Sequence, residues 1–315
     1  MKPTALAPPR PDAYPSSWWY RDALEAAQPC PPLIGEHRCD VAIVGGGFTG
    51  LWTAIALKER DPGRSIKVLE ASTCGSGASG MNGGMVSGYW ASLNSLAPAL
   101  GDDDAIRVAR AGSLAQDAIR RWCTGQGRDV WWREAGNLRV STTVEQDRKV
   151  AAVVDAARRF GVPDTAVQLS PEQVQARCAS PVFRAGVLFP EGANLHPARL
   201  VCALRTAALE LGVTIHENSP VTSLYKGAPS ELSTPTARIV ASDVVMATNV
   251  ALASDPLLRP YLCAFSSYAL MTEAAPDALE LHRHPHIDPR PLLTGLIANV
   301  SGLTCSTDLG LLGGC

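Results

Sequence analysis

The sequence lacks the features that mark membrane proteins and nucleic-acid-binding proteins. No apolar run reaches the roughly 18–20 residues that a membrane-spanning helix needs. The charge is nearly balanced, with 28 basic and 30 acidic residues, and no basic stripe with interleaved aromatic residues is present. The proline-rich N-terminus also lacks the apolar core of a signal peptide. We therefore expect a soluble, cytoplasmic protein that binds neither membranes nor nucleic acids.

Cysteine spacing of the kind that forms disulfide frameworks or zinc sites is missing as well. The nine cysteines are odd in number, dispersed and never spaced as C-x-x-C. His282, His284 and His286 lie close together, but a proline interrupts the run and no other ligand cluster accompanies it. We expect a solvated loop there and no metal site.

The most informative feature that is present is a glycine cluster between a strand and a helix. Residues 41–44 are β-branched or small and apolar, and they run into the pattern G-x-G-x-x-G. Residues 51–60 have helical composition, and a second apolar strand over residues 66–69 ends at Glu70. This order of strand, glycine turn, helix, strand and acid predicts a βαβ unit that binds a dinucleotide.

Each residue of this pattern has a mechanical reason. Gly45 permits the tight turn, Gly47 lets a pyrophosphate approach the backbone, and Gly50 lets the helix pack closely on the strand. The free N–H groups at the start of the helix then face the phosphates. Glu70 can accept hydrogen bonds from ribose hydroxyls, which suits either NAD or FAD.

A second glycine-rich loop over residues 74–84 helps to choose between these two cofactors. It contains five glycines in eleven residues, so it exposes many N–H donors and tolerates positive φ angles. Such a loop can lie along a long ligand, as FAD requires. The alternative is a flexible surface loop on a plain NAD-binding fold.

These segments resemble those of the FAD-dependent amine and amino-acid oxidoreductases, the superfamily of D-amino-acid oxidase, glycine oxidase and sarcosine oxidase. The resemblance rests on DVAIVGGGFTG, the later LEA and GASG-x-NGG, which begin at Asp40, Leu69 and Gly77. The branch that it resembles includes gamma-glutamylputrescine oxidoreductase and commonly has arginine where this sequence has Met81. The resemblance implies an α/β fold, with a Rossmann-like FAD-binding domain and a discontinuous α+β substrate domain.

The resemblance also implies which residues contact the cofactor. Val221 is expected beside the adenine, and Ser79, Gly80, Asn82 and Gly83 on the flavin side. The complete expected set is Gly45, Gly47, Phe48, Thr49, Gly50, Glu70, Ala71, Ser79, Gly80, Met81, Asn82, Gly83, Val221 and Thr248. No cysteine attachment motif for flavin is visible, so the FAD is expected to be non-covalent.

The similarity runs from about residue 17 to about residue 273 and implies a domain order. The expected segments are a proline-rich lead (1–38), the FAD-binding domain (39–100 and 190–255), an incomplete substrate domain (101–189 and 256–290) and an atypical tail (291–315). Because the familiar pattern stops after Glu273, we expect that the chain is shortened at its C-terminus.

Several local elements can also be predicted. Apolar periodicity predicts helices over residues 102–123 and 144–160. Ser170 begins a capping box with proline in the first turn, which predicts a short helix. The segment 130–132 leads into a predicted strand that runs through Val140, and the aromatic trio 18–20 suggests a hydrophobic anchor rather than a substrate contact.

The family chemistry is oxidation of a C–N bond by hydride transfer from an amine or amino acid to flavin, followed by hydrolysis of the imine. Oxygen or another acceptor then takes the electrons. No catalytic residue can be assigned. Tyr89 and Tyr268 could face a substrate and Arg133 or Arg139 could hold a carboxylate, although core packing is the preferred interpretation for the tyrosines and a surface position for the arginines. The alternatives are an NAD(P)-dependent dehydrogenase and a non-catalytic Rossmann remnant.

Overall fold

A computed structural model describes residues 4–5, 17–23, 28–125, 127–134, 136–177 and 180–262 of the chain. Within this part, the residues up to Asn82 together with those from His196 onward form one compact unit. Gly83 through Leu195 form a second unit. The assignment of FAD-binding and substrate roles to particular domain segments stays a prediction.

The described residues form twelve strands and seven α-helices. The strands are β1 (Thr4–Ala5), β2 (Gly35–Val44), β3 (Ile66–Leu69), β4 (Met85–Val86), β5 (Asn137–Val140), β6 (Val167–Leu169), β7 (Gly186–Phe189), β8 (Ala193–Asn194), β9 (Thr214–His216), β10 (Ser223–Tyr225), β11 (Ser230–Ser233) and β12 (Ala237–Met246). The helices are α1 (Trp18–Ala23), α2 (Phe48–Arg60), α3 (Leu93–Leu100), α4 (Asp102–Gly125), α5 (Val144–Arg159), α6 (Pro171–Arg177) and α7 (Pro197–Glu210). These counts refer to the described residues.

The first unit is built on a seven-stranded mixed sheet in the order β1-β10-β11-β12-β2-β3-β9. The strands β12, β2, β3 and β9 are parallel, whereas β10 and β11 form an antiparallel extension. The last four residues of β2 are buried, as expected for a central strand that is covered on both faces. The predicted α/β class with a parallel sheet is therefore confirmed.

Apolar side chains from both ends of this unit form its core. The helices α2 and α7 pack against each other, and Leu51, Ile55 and Leu204 are buried in them. A further cluster consists of Leu33, Ala42, Val44, Leu69, Val221, Leu224, Leu232, Ile239 and Ala241. The predicted lead ends at residue 38. The burial of Leu33 and the start of β2 at Gly35 show that the core begins within it.

The second unit combines two small antiparallel sheets with the helices α3 to α6. One sheet pairs β4 with β8, and the other has the order β5-β7-β6. An apolar face of α5 packs in a cluster that contains Val150, Val153, Val154, Ala157, Ala166, Val187 and Phe189. Three aspartates lie in the first turn of α4, where their negative charges interact favourably with the positive end of the helix dipole.

Most local predictions for this unit are confirmed. The helices over 102–123 and 144–160 are α4 and α5, and the φ angle of +70° at Gly161 explains why α5 ends there. The Ser170 hydroxyl accepts from the N–H of Gln173, whose side chain accepts from the N–H of Ser170, which is the predicted capping box. The strand predicted to run through Val140 is β5, which begins at Asn137, and Trp131 in the segment that leads into it has a φ angle of +56°.

None of the helices in the described part of the chain combines the length and hydropathy that crossing a bilayer requires. Tyr268, the three histidines and the tail after residue 290 lie outside the described residues.

Candidate functional site

The glycine turn after β2 is packed so closely that side chains would not fit. Gly45 has a φ angle of +111°, and a Cβ added there would overlap the carbonyl oxygen of Ala247. A Cβ at Gly50 would overlap the carbonyl oxygen of Gly45. These contacts confirm the predicted mechanical roles of Gly45 and Gly50 in the turn and in the approach of α2 to β2.

The start of α2 lies against the second glycine loop. The N–H of Phe48 donates to the Oγ of Ser79 at 3.0 Å, and a Cβ at Gly47 would lie only 2.8 Å from that oxygen. Thr49 is exposed in the first turn of the same helix. First-turn N–H groups have no partner within their own helix, so this end of α2 is a place for a phosphate.

Glu70 lies directly after β3, beside this turn. Its Oε2 accepts from the N–H of Gly46 at 2.7 Å, and its Oε1 accepts from the N–H of Ser72 at 3.0 Å. Burial of the carboxylate raises the pKa of Glu70, although the N–H groups of Ser72, Gly46 and Ala71 oppose that rise. A carboxylate offers about four lone-pair sites, so the half-buried Glu70 can still accept from two ribose hydroxyls.

The second glycine loop is an ordered chain of turns. The N–H of Gly75 donates to the carbonyl of Gly46 at 3.2 Å, and the N–H groups of Gly80 and Met81 close successive turns of the loop. The side chain of Asn82 donates to the carbonyls of Ala78 and Ser79, both at 3.0 Å. This loop therefore folds into successive hydrogen-bonded turns.

Asn82 and Ser79 thus have structural contacts that the sequence comparison did not foresee. The Ser79 hydroxyl lies at the N-terminus of α2, and the Asn82 amide donates hydrogen bonds within the turn. Their expected contacts on the flavin side, and those of Gly80 and Gly83, stay predictions. Gly83 is the first residue of the second unit.

Val221 and Thr248 lie near the same edge of the first sheet. Val221 is buried in a cluster that includes Val44 and Leu69, the last residues of β2 and β3. Thr248 follows β12, and its backbone nitrogen is 3.5 Å from a Cβ built on Gly45. Both positions suit the predicted roles, and their contacts with a cofactor stay predictions.

A buried ion pair that the sequence comparison missed lies behind the loop. Glu217 directly follows β9, and its carboxylate accepts from the N–H of Cys30 at 2.6 Å and from the N–H of Cys74 at 2.7 Å. The Nη2 of Arg205, on α7, lies 3.2 Å from the same carboxylate. Arg205 lies twelve residues before Glu217, but Cys30 and Cys74 belong to distant segments, so no local sequence pattern identifies the cluster.

The helix α1 is the hydrophobic anchor that the aromatic trio predicts. Trp19 is buried, and its ring packs edge-on against His196 at 4.7 Å between centroids. The hydroxyl of Tyr20 lies 2.6 Å from the Oγ1 of Thr73, in the loop after Glu70. The N-terminal aromatic residues therefore contact the candidate site through its supporting loop.

His196 caps α7 and is held neutral. Its Nδ1 accepts from the N–H of Arg199 at 3.2 Å, and its Nε2 lies 3.2 Å from the Oδ2 of Asp22. Burial lowers the pKa of His196 to about 4, against the smaller opposing effect of Asp22.

The pocket residues suggested in the second unit have ordinary packing contacts. Tyr89 is half exposed, and its ring lies against the Cα side of Gly112. The guanidinium of Arg139 stacks over Phe189 at 5.6 Å, and the backbone of Arg133 pairs with Asn194. Substrate roles for these side chains stay predictions.

The first unit fits the adenosine diphosphate part of a dinucleotide. It combines a glycine turn without room for side chains, a helix N-terminus and a strand-end carboxylate with spare acceptors. The sequence profile of the FAD-dependent oxidoreductase family matches residues 40–300. The chain belongs to this family. The matched range extends beyond residue 273, where the predicted resemblance ended.

Individual relatives agree with the family. The chain is 28% identical to gamma-glutamylputrescine oxidoreductase of Escherichia coli over 239 residues, which cover 74% of this chain and 54% of that protein. It is 24% identical to glycine oxidase of Geobacillus kaustophilus over 213 residues, which cover 67% of this chain and 54% of that protein. The chain thus spans about half the length of these curated relatives.

Solved structures show the same fold. The crystal structure of the Geobacillus kaustophilus glycine oxidase matches with a TM-score of 0.53 at 24% identity, covering 69% of this chain and 57% of that one. L-amino acid deaminase from Proteus myxofaciens matches with a TM-score of 0.56 at 21% identity, covering 72% and 49% respectively.

Proposed function

We propose that this protein is an FAD-dependent oxidoreductase that oxidises a C–N bond of an amine or amino acid. The observation that carries the proposal is the joint geometry of Glu70 and the glycine turn in a chain that belongs to this family. When bound, FAD would accept a hydride from the carbon next to the amine, leaving an imine that water hydrolyses.

The residues of the chain would supply binding and orientation. The first-turn N–H groups of α2, with that of Phe48 exchanging the Ser79 hydroxyl for a phosphate oxygen, would hold the pyrophosphate, and Gly47 would let it approach the backbone. Glu70 would accept from the ribose hydroxyls while Gly46 and Ser72 keep its carboxylate in place. These contacts would hold FAD without a covalent bond, and oxygen or another acceptor would take the electrons.

The substrate class is proposed from the relatives. Gamma-glutamylputrescine oxidoreductase and glycine oxidase are both related in sequence, and their names specify an amine derivative and an amino acid. We therefore propose putrescine derivatives, sarcosine and glycine as the first compounds to test.

The first experiment is a titration of the purified full chain with FAD, followed by flavin absorbance and by heat release of the flavin. We expect a yellow complex that loses its flavin on denaturation. Gly47→Val should abolish binding, because its side chain would enter the space between α2 and Ser79. Gly63→Ala is the matched control, because a Cβ there meets only an Asp61 oxygen at 3.5 Å.

The second experiment mixes the complex with each amine in the absence of oxygen and records loss of the flavin absorbance. Bleaching by an amine supports the oxidoreductase proposal. A complex that dithionite reduces but no amine reduces would contradict it and leave a nucleotide-binding protein without turnover.

A further inference from the structure

Glu217 is a buried charged residue that the proposed cofactor chemistry does not use. Its side chain is 3% exposed, and that of its partner Arg205 is 15% exposed. An isolated buried carboxylate is costly, whereas one with several hydrogen bonds and a paired cation is tolerated. The contacts of Glu217 show what this arrangement holds together.

The two oxygens of Glu217 bind two different segments. Oε2 accepts from the N–H of Cys30 and faces Arg205, whereas Oε1 accepts from the N–H of Cys74. The next residues continue the contact, since the N–H of Asn218 donates to the carbonyl of Ser72 at 2.7 Å. The loop over residues 70–76 is therefore attached to the end of β9 along much of its length.

Cys74 connects this loop to the glycine turn. A Cβ built on Gly46 would lie 2.5 Å from the Cys74 Sγ, so the thiol packs directly on the Gly46 backbone. Gly46 in turn donates its N–H to Glu70 and accepts from the N–H of Gly75. A movement of Cys74 would thus change the position of the groups that should bind ribose and pyrophosphate.

We propose that Glu217 is a positioning residue for the FAD site: through Cys74, its carboxylate holds residues 70–76 and the Gly46 turn in the conformation that binds the adenosine half of the cofactor. This inference rests on the proposed FAD-binding function. Arg205 has a different part, because it neutralises the carboxylate but makes no contact of its own with the loop among the described hydrogen bonds.

The test compares three variants of the full chain at pH 8. Glu217→Gln has one acceptor oxygen and one NH2 group, so it cannot accept from both Cys30 and Cys74. Arg205→Gln removes the cation and leaves both of those hydrogen bonds possible. Glu231→Gln removes the acid of the surface pair with Arg238 and serves as the matched control.

Two measurements are made on each folded variant. The dissociation constant for FAD should rise at least tenfold in Glu217→Gln and less than threefold in Arg205→Gln and Glu231→Gln. Amide hydrogen exchange over residues 70–76, recorded without FAD, should be at least tenfold faster in Glu217→Gln alone. A purely structural role predicts instead that Glu217→Gln and Arg205→Gln weaken FAD binding in proportion to their loss of stability, which would overturn the proposal.

The remaining outcomes are also decisive. A wild-type chain that binds no FAD contradicts the proposed function, and the exchange measurement then decides the inference, since unchanged exchange in Glu217→Gln overturns it. If Glu217→Gln does not fold, exchange in the wild-type chain decides. The inference requires slow exchange at Cys74 without FAD, and fast exchange there overturns it.

Discussion

Glu70 and Glu217 follow neighbouring parallel strands of one sheet, and the residues before them, Leu69 and His216, are direct partners in that sheet. Each carboxylate accepts from two backbone N–H groups. Glu70 is half-buried, with spare acceptor sites. Glu217 is covered by the segment that begins at Cys30, and Arg205 completes its contacts.

The difference teaches that a strand-end acid is not sufficient to mark a ligand site. The carboxyl ends of parallel strands are where ligands bind in open α/β sheets, yet only Glu70 of these two acids is partly exposed. The other is used to hold the surrounding segments. What decides the role is the chain that covers the acid, and that chain comes from elsewhere in the sequence.

The largest expected effect comes from breaking the covered acid. Glu217→Gln leaves the guanidinium of Arg205 buried without its counter-charge and leaves one backbone N–H without an acceptor. We expect the free energy of unfolding of the cofactor-free chain to fall by about 3–5 kcal/mol. Urea unfolding measures this change, and a loss below about 1 kcal/mol would show that the pair is dispensable.

His196 extends the comparison to a buried side chain that is neutral. The pKa of His196 is lowered to about 4 in the folded chain, whereas an exposed histidine in the unfolded chain titrates near pH 6.5. The unfolded state therefore binds a proton first as the pH falls. Stability is fully present above pH 6.5 and decreases between pH 6.5 and 4, by about 3 kcal/mol in total.

The measurement is urea unfolding across this pH range for the wild type and for His196→Asn. Asparagine keeps an oxygen that can cap α7 and removes the titrating ring. The variant should show a flatter pH dependence by about that amount. Parallel pH profiles for the two proteins would mean that other groups cause the acid sensitivity.

Substitution of Glu70, the partly exposed acid, should weaken FAD binding more than it lowers stability. In Glu70→Gln, one oxygen can still accept from Gly46 or Ser72, but the charged acceptor for the ribose is lost. Hydrogen bonds to charged groups contribute about 1.5–3 kcal/mol, so FAD affinity should fall roughly ten- to a hundredfold, while stability without FAD changes by less than about 1 kcal/mol. Unchanged affinity would place the ribose elsewhere.

The smallest effect is expected at a surface acid. Glu231 pairs with Arg238 across β11 and β12, with side chains 29% and 56% exposed. Exposed pairs contribute about 0–1 kcal/mol, so Glu231→Gln should change both stability and FAD affinity very little. A large effect there would mean that the loss of a carboxylate charge is enough to lower stability or FAD affinity, whether or not the carboxylate is buried.

The sequence predicted the parts of the fold that depend on local pattern. The glycine turn, the helix after it and the acid at Glu70 lie within one short βαβ unit, and the helix ends at Gly161 and Ser170 follow from residues beside them. In each case the chain that forms the feature is contiguous.

Contacts between distant segments could not be predicted in this way. The cluster around Glu217 joins residues near positions 30, 74 and 205, and nothing in the residues beside Glu217 indicates it. The exact start of β5 could not be predicted for a related reason: Trp131, in the segment that leads into the strand, adopts a left-handed conformation that composition does not reveal.

The hydrogen bond from Phe48 to Ser79 means that the start of α2 is already partly occupied by the protein's own oxygen. In the proposed complex with FAD, a phosphate that reached this amide would replace the serine oxygen, so cofactor binding there would be a substitution rather than an addition.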